Sequence, residues 1–133
     1  MILYNGESLA YIGDAIYELK IREYLLKKGY QDVNILHKYA VKFTSGESQA
    51  LIVDYLIKNE IITEEEISYF KRGRNSGHSK NRRSISVISY KKATGFEAMI
   101  GFLYLSNQEE RLNSLVEIVI NLVEEGKIWQ ENK

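Results

Sequence analysis

Apolar residues recur at three- and four-residue steps through most of this chain, the period of amphipathic helices. Leu9, Ile12, Ile16 and Leu19 form one such stripe, which predicts a helix from about Gly6 to Lys28 that stops at Gly29. A second helix is expected from Val33 to about Phe43, with Asp32 as its N-cap and Ile35, Leu36, Tyr39 and Ala40 inward. Thr44 and Ser45 interrupt the pattern. A third helix, Gly46 to Asn59, follows on the stripe Ala50, Leu51, Val53, Tyr55 and Leu56. Thr63 followed by Glu64, Glu65 and Glu66 supplies a cap, a capping-box acid and carboxylates near the positive end of a helix dipole. The fourth helix therefore starts there and runs into Lys71-Arg72-Gly73-Arg74. Residues 75–84 are a loop by composition, and Ile85 to Tyr90, a single short alternating run, is expected as loop entering a helix. Tyr90 to Leu105 is nearly apolar and predicts a buried helix. Glu109 to about Glu125 closes the pattern, with Leu112, Leu115, Val116, Val119, Leu122 and Val123 inward and Gly126 at its end. The expectation is an all-α fold of six or so helices in one domain, residues 1–133.

Composition supports this reading. In 133 residues there is no Pro and no Cys. Long helices can run uninterrupted, and disulfides, thiolate metal sites and cysteine nucleophiles are excluded. No apolar run of about 18 residues exists to span a membrane, and the first seven residues lack the basic start and apolar core of a signal peptide. A cytoplasmic protein is the expectation, in keeping with the absence of Cys.

Charge changes the picture further. The 18 Lys and Arg balance the 18 Asp and Glu, a total that by itself discourages a nucleic-acid partner. The charges are not evenly spread, however. From Ile67 to Phe96 there is no acid but eight basic residues: Lys71, Arg72, Arg74, Lys80, Arg82, Arg83, Lys91 and Lys92. That segment carries +8 and the remainder −8. Two opposed patches, not neutrality, describe the molecule.

Two acids stand out by their neighbours. Asp14 follows Gly13 in mid-helix, where a glycine costs about 1 kcal/mol relative to alanine and marks a close backbone approach. Glu97 lies in an otherwise apolar helix, with Ala93, Thr94 and Gly101 on its face. A carboxylate there needs a positive or hydrogen-bonding partner. Two such carboxylates on small-residue crossings are able to share Mg²⁺, which often takes one or two protein carboxylates and keeps several waters. Spacing alone equally accommodates a solvated Asp14 and a Glu97 paired at the rim.

The motifs around these acids carry a resemblance. Tyr11-Ile12-Gly13-Asp14-Ala15-Ile16 resembles the ribonuclease III signature, and Phe96-Glu97-Ala98-Met99-Ile100-Gly101 resembles the second acidic helix of that family. Leu36-His37-Lys38, Thr44-Ser45 and Lys71-Arg72-Gly73-Arg74-Asn75 fall between them in the same order. With no double-stranded RNA-binding domain following, the pattern is most similar to the Mini-ribonuclease III branch of the family. The resemblance implies a two-fold homodimer of ribonuclease III endonuclease-like domains, with Tyr11 packing across the interface. It implies Asp14 and Glu97 as catalytic residues and ligands of Mg²⁺, with Mn²⁺ as a substitute. Ala10 and Thr94 stand where larger members have two more acids, and Glu7 matches a further acidic position. The implied reaction is hydrolysis of double-stranded RNA, leaving 5′-phosphates. The implied substrate is a ribosomal RNA precursor, of large-subunit type, with a ribosomal protein as a further partner. The rival expectation is a non-catalytic rRNA-binding or ribosome-assembly protein on the same fold.

The basic loop, about residues 72–88, is the expected RNA surface, through Lys71, Arg72, Arg74, Asn75, His78, Lys80, Arg82 and Arg83. Gly73 and Gly77 are expected to let the backbone approach phosphates. Without stacking aromatics the loop suits a duplex, which is read mostly by shape. Lys38 and Lys42 are exposed candidates to extend it. His37, on an apolar helix face, is expected in the core, and the ten tyrosines as core and rim residues.

Overall fold

The computed structural model describes residues 4–76 and 85–128. Six helices follow one another: α1 Gly6–Lys27, α2 Val33–Thr44, α3 Gly46–Lys58, α4 Glu64–Arg74, α5 Val87–Leu105 and α6 Glu109–Glu124. The all-α expectation holds. Among the described residues no helix is long and apolar enough to cross a membrane.

Local chemistry accounts for the helix ends. Asn5, Asp32, Ser45, Thr63 and Ser86 each accept a hydrogen bond from a first-turn backbone N–H. Gly29 and Gly126 take positive φ after α1 and α6, where a side chain would be strained. The Ser86 cap starts α5 at Val87, earlier than the expected Tyr90. The stretch expected as a basic loop over 72–88 therefore begins inside α4 and ends inside α5.

α5 is the central helix. Phe96, Ala98, Met99, Ile100, Phe102 and Leu103 are buried on several sides of it, with α1, α3, α4 and α6 packed around. Tyr17 of α1 meets the Phe96 ring edge-on at 4.9 Å, and its hydroxyl donates to the Phe43 carbonyl of α2 at 2.9 Å. Burial holds that phenol protonated. The α4 capping box is complete, since Thr63 Oγ1 accepts from the Glu66 N–H while the Glu66 carboxylate accepts from the Thr63 N–H. Arg111 of α6 adds two bonds to the same carboxylate, at 2.7 and 2.9 Å, and donates to the Ile61 carbonyl. Burial opposes the charged form of Glu66, but these donors outweigh it and keep the carboxyl below its ordinary pKa.

Three stripe assignments are corrected. Leu19 is 52% exposed, Ile35 44% and Leu51 39%, whereas Tyr17 and Ile21 on α1, Ala40 and Phe43 on α2 and Ile52 on α3 are buried. His37 is exposed and does not belong to the core. In each case the helix carries apolar residues on more than one face, and tertiary contacts choose which face is covered.

The tightest crossing is between α1 and α5. A Cβ on Gly13 would overlap the Glu97 carbonyl oxygen, and one on Gly101 would overlap the Leu9 carbonyl oxygen. Gly13→Ala must therefore push two backbones apart, and a loss of about 3 kcal/mol of unfolding free energy is expected by urea titration. A loss below about 1 kcal/mol would show that the crossing is looser than described.

Candidate functional site

The crossing that needs Gly13 also brings the two singled-out acids together. Asp14 is the next residue on α1, and Gly13 rests on the backbone carbonyl of Glu97 itself. Both side chains line one cleft of about 720 Å³. Asp14 is exposed at its wall and Glu97 is half-buried. Glu7, two turns earlier on α1, lines the same space.

Ala10 and Thr94 sit on these walls too. Ala10 is buried, and the Thr94 hydroxyl donates to the Tyr90 carbonyl one turn back at 3.0 Å. Neither adds an anion to the cleft.

The end of α2 and the start of α3 also line the cleft, through Thr44, Ser45, Gly46, Glu47 and Gln49. Ser45 caps the helix by accepting from the Ser48 N–H at 3.1 Å. Gln49 is 1% exposed, and its Nε2 donates to the Thr44 carbonyl at 3.1 Å. Its Oε1 is buried with no hydrogen-bond partner among the described residues. Of this stretch the sequence motifs include Thr44-Ser45, and Gln49 is marked only as a polar residue one position before the apolar stripe.

The chemistry of these donors bears on the metal that the sequence motifs imply. Among the described residues no three His, Cys, Asp or Glu side chains converge closely enough to cage an ion. The cleft is lined by oxygen groups: the carboxylates of Glu7 and Asp14 on α1, Glu47 on α3 and Glu97 on α5, with Gln49, whose amide oxygen is buried and lacks a donor among the described residues, beside them. That set fits a hard cation bound through one or two carboxylates and otherwise hydrated, as Mg²⁺ commonly is.

The expected RNA surface is partly placed. Lys71, Arg72 and Asn75 are exposed, and Arg74 is half-buried. Arg72 has local work: it donates to the Tyr4 carbonyl at 3.2 Å and lies 4.6 Å from the Tyr69 ring centroid. Arg74 lies over Phe70 and donates to the Asn75 side chain. Gly73 is buried, and a Cβ there would lie 2.8 Å from the Thr94 carbonyl oxygen, so its missing side chain serves α4–α5 packing and not an approach to phosphate. Lys92 pairs with Asp54 at 3.0 Å. Lys38 and Lys42 are exposed. Gly77, His78, Lys80, Arg82 and Arg83 lie outside the described residues. Tyr11 is 83% exposed and borders the cleft.

Residues 7–108 match the family model described as Ribonuclease III domain. The chain is similar to proteins named Mini-ribonuclease 3 from two bacteria. It is 43% identical to that of Acholeplasma laidlawii, over 92% of this chain and 96% of that protein. It is 45% identical to that of Clostridium tetani, over 92% and 80%. A crystal structure of a Fusobacterium nucleatum protein superposes with a TM-score of 0.79 at 39% identity, covering 89% of this chain and 93% of that one. With the family model spanning both acids and the cleft between them, the chain belongs to the ribonuclease III family.

Proposed function

We propose that this chain is a Mg²⁺-dependent endoribonuclease that cleaves double-stranded RNA and matures the ends of a large-subunit ribosomal RNA precursor in the cytoplasm. The observation that carries this reading is the shared cleft of Asp14 and Glu97, set by the Gly13 contact on the Glu97 backbone. Relatives at about 40% identity over nine-tenths of the chain, named as ribonucleases, support it.

Asp14 and Glu97 would hold Mg²⁺ or, in its place, Mn²⁺. A bound divalent ion lowers the pKa of water and offsets charge developing on the phosphate. The protein's own contribution is placement. Asp14 stands exposed at the cleft wall, on the side open to an incoming phosphodiester, while Glu97 is flanked by buried residues on both sides of it in α5. The start of α3 presents the positive end of a helix dipole to the same space. Lys71, Arg72, Arg74 and Asn75, with His78, Lys80, Arg82 and Arg83 in the following segment, would contact phosphate and sugar. A two-fold homodimer through Tyr11 would supply one site per strand, and a ribosomal protein would join the natural complex through the precursor RNA.

Three outcomes are expected. Purified protein cuts duplex RNA with Mg²⁺, spares single strands and stops with chelator, while Asp14→Asn and Glu97→Gln each lower the cleavage rate about 100-fold or more. Binding without any cutting by the wild type would favour the non-catalytic reading that Ala10 and Thr94 suggest. Neutralising Lys71, Lys80, Arg82 and Arg83, which spares the local contacts of Arg72 and Arg74, lowers the slope of log affinity against log salt by about 0.7–0.9 for each phosphate no longer neutralised. An unchanged slope removes this segment from the RNA surface. Tyr11→Asp shifts sedimentation from dimer to monomer, and a persisting dimer would rule out that interface.

A further inference from the structure

Gln49 lines the cleft with a polar side chain whose state the proposed chemistry leaves unexplained. It is 1% exposed, and one end of its amide is tied to the Thr44 carbonyl at 3.1 Å. That bond orients the amide, so the other end must be the oxygen. This oxygen has no hydrogen-bond partner among the described residues. A buried acceptor left without a donor is destabilising. A leucine or methionine would fill the same space without that cost, so the position calls for a donor that arrives with a ligand.

The cleft suggests which ligand. Gln49 lines it together with Asp14 and Glu97. Ala10 and Thr94 contribute no anion, and among the described residues no three acids converge on one point, so a cation held by Asp14 and Glu97 retains most of its water shell. Each retained water presents protons and needs acceptors around it. Groups that accept from such waters orient them and raise affinity for the ion.

We infer that the Oε1 of Gln49 is an outer-shell positioning group, accepting a hydrogen bond from a water of the divalent cation held by Asp14 and Glu97. The inference rests on the proposed two-carboxylate cation site and adds to it a neutral acceptor from α3. Gln49 touches the ion only through that water, whose O–H supplies the missing donor. The start of α3 is thereby coupled to the α1–α5 crossing when the ion is bound.

The test is Mn²⁺ binding to the full chain without RNA, followed by titration calorimetry and by the loss of free Mn²⁺ signal in electron paramagnetic resonance. Gln49→Met, which keeps the volume but removes the acceptor, weakens Mn²⁺ about tenfold. Gln49→Glu, which puts an anionic oxygen at the same place, tightens it. Opposite signs are the signature, because a purely structural Gln49 would leave Mn²⁺ affinity unmoved in both variants or weaken it in both. Either of those results overturns the inference. If Gln49→Met does not fold, tightening by Gln49→Glu decides alone, and an affinity no better than wild type overturns it. Asp14→Asn is the control for the reading underneath. If it loses Mn²⁺ while both Gln49 variants match wild type, Gln49 has no such role and the carboxylate site stands. If Asp14→Asn binds as wild type does, the carboxylate site itself is wrong and the inference falls with it.

Discussion

The contact of Gly13 with the backbone of Glu97 is the constraint on which the rest of this molecule depends. Helices normally stand about 8–10 Å apart because side chains separate them. Here two glycines, Gly13 and Gly101, let α1 and α5 approach until backbone meets backbone. The intrinsic helix cost of each, about 1 kcal/mol, is offset by the packing this allows around Leu9, Tyr17, Phe96 and Ala98. The same approach puts the residue after Gly13 and the residue beneath it on one cleft. Fold and site are thus consequences of one crossing.

The other elements hold that crossing in place. The Tyr17 hydroxyl ties α1 to the end of α2, from which α3 departs after the single residue Ser45. α3 is thereby aimed, amino end first, at the cleft. Glu66 caps α4 and holds Arg111 of α6, so one buried carboxylate serves a helix start and an inter-helix tie. Such a pair contributes little net stability when well formed, but it is costly to break from one side. Its role here is to fix how α4 and α6 sit about α5.

Much of this was legible in the sequence. The capping box at Thr63, the stop at Gly29 and the stripe of α6 are local patterns, and local patterns survive folding. Spacing left the meeting of Asp14 with Glu97 open, and only the resemblance of their two motifs to ribonuclease III implied it. Facing was less legible. Leu19, Ile35 and Leu51 look as apolar as Tyr17, Ile21 and Ile52, and only the packed structure separates them. Gly73 was legible as a close approach but not as an approach to whom. Gln49 was invisible, since an unsatisfied hydrogen bond belongs to three dimensions and leaves no mark on spacing. The neutral charge total misled until it was divided along the chain.

The central claim is that Asp14 and Glu97 act as one unit by holding the same ion. Single-turnover cleavage of duplex RNA by the double variant Asp14→Asn/Glu97→Gln, beside the two single variants, tests it most directly. Residues that work only together give a double variant no slower than the worse single one. If the two losses instead multiply, the carboxylates act independently, and the shared site is contradicted.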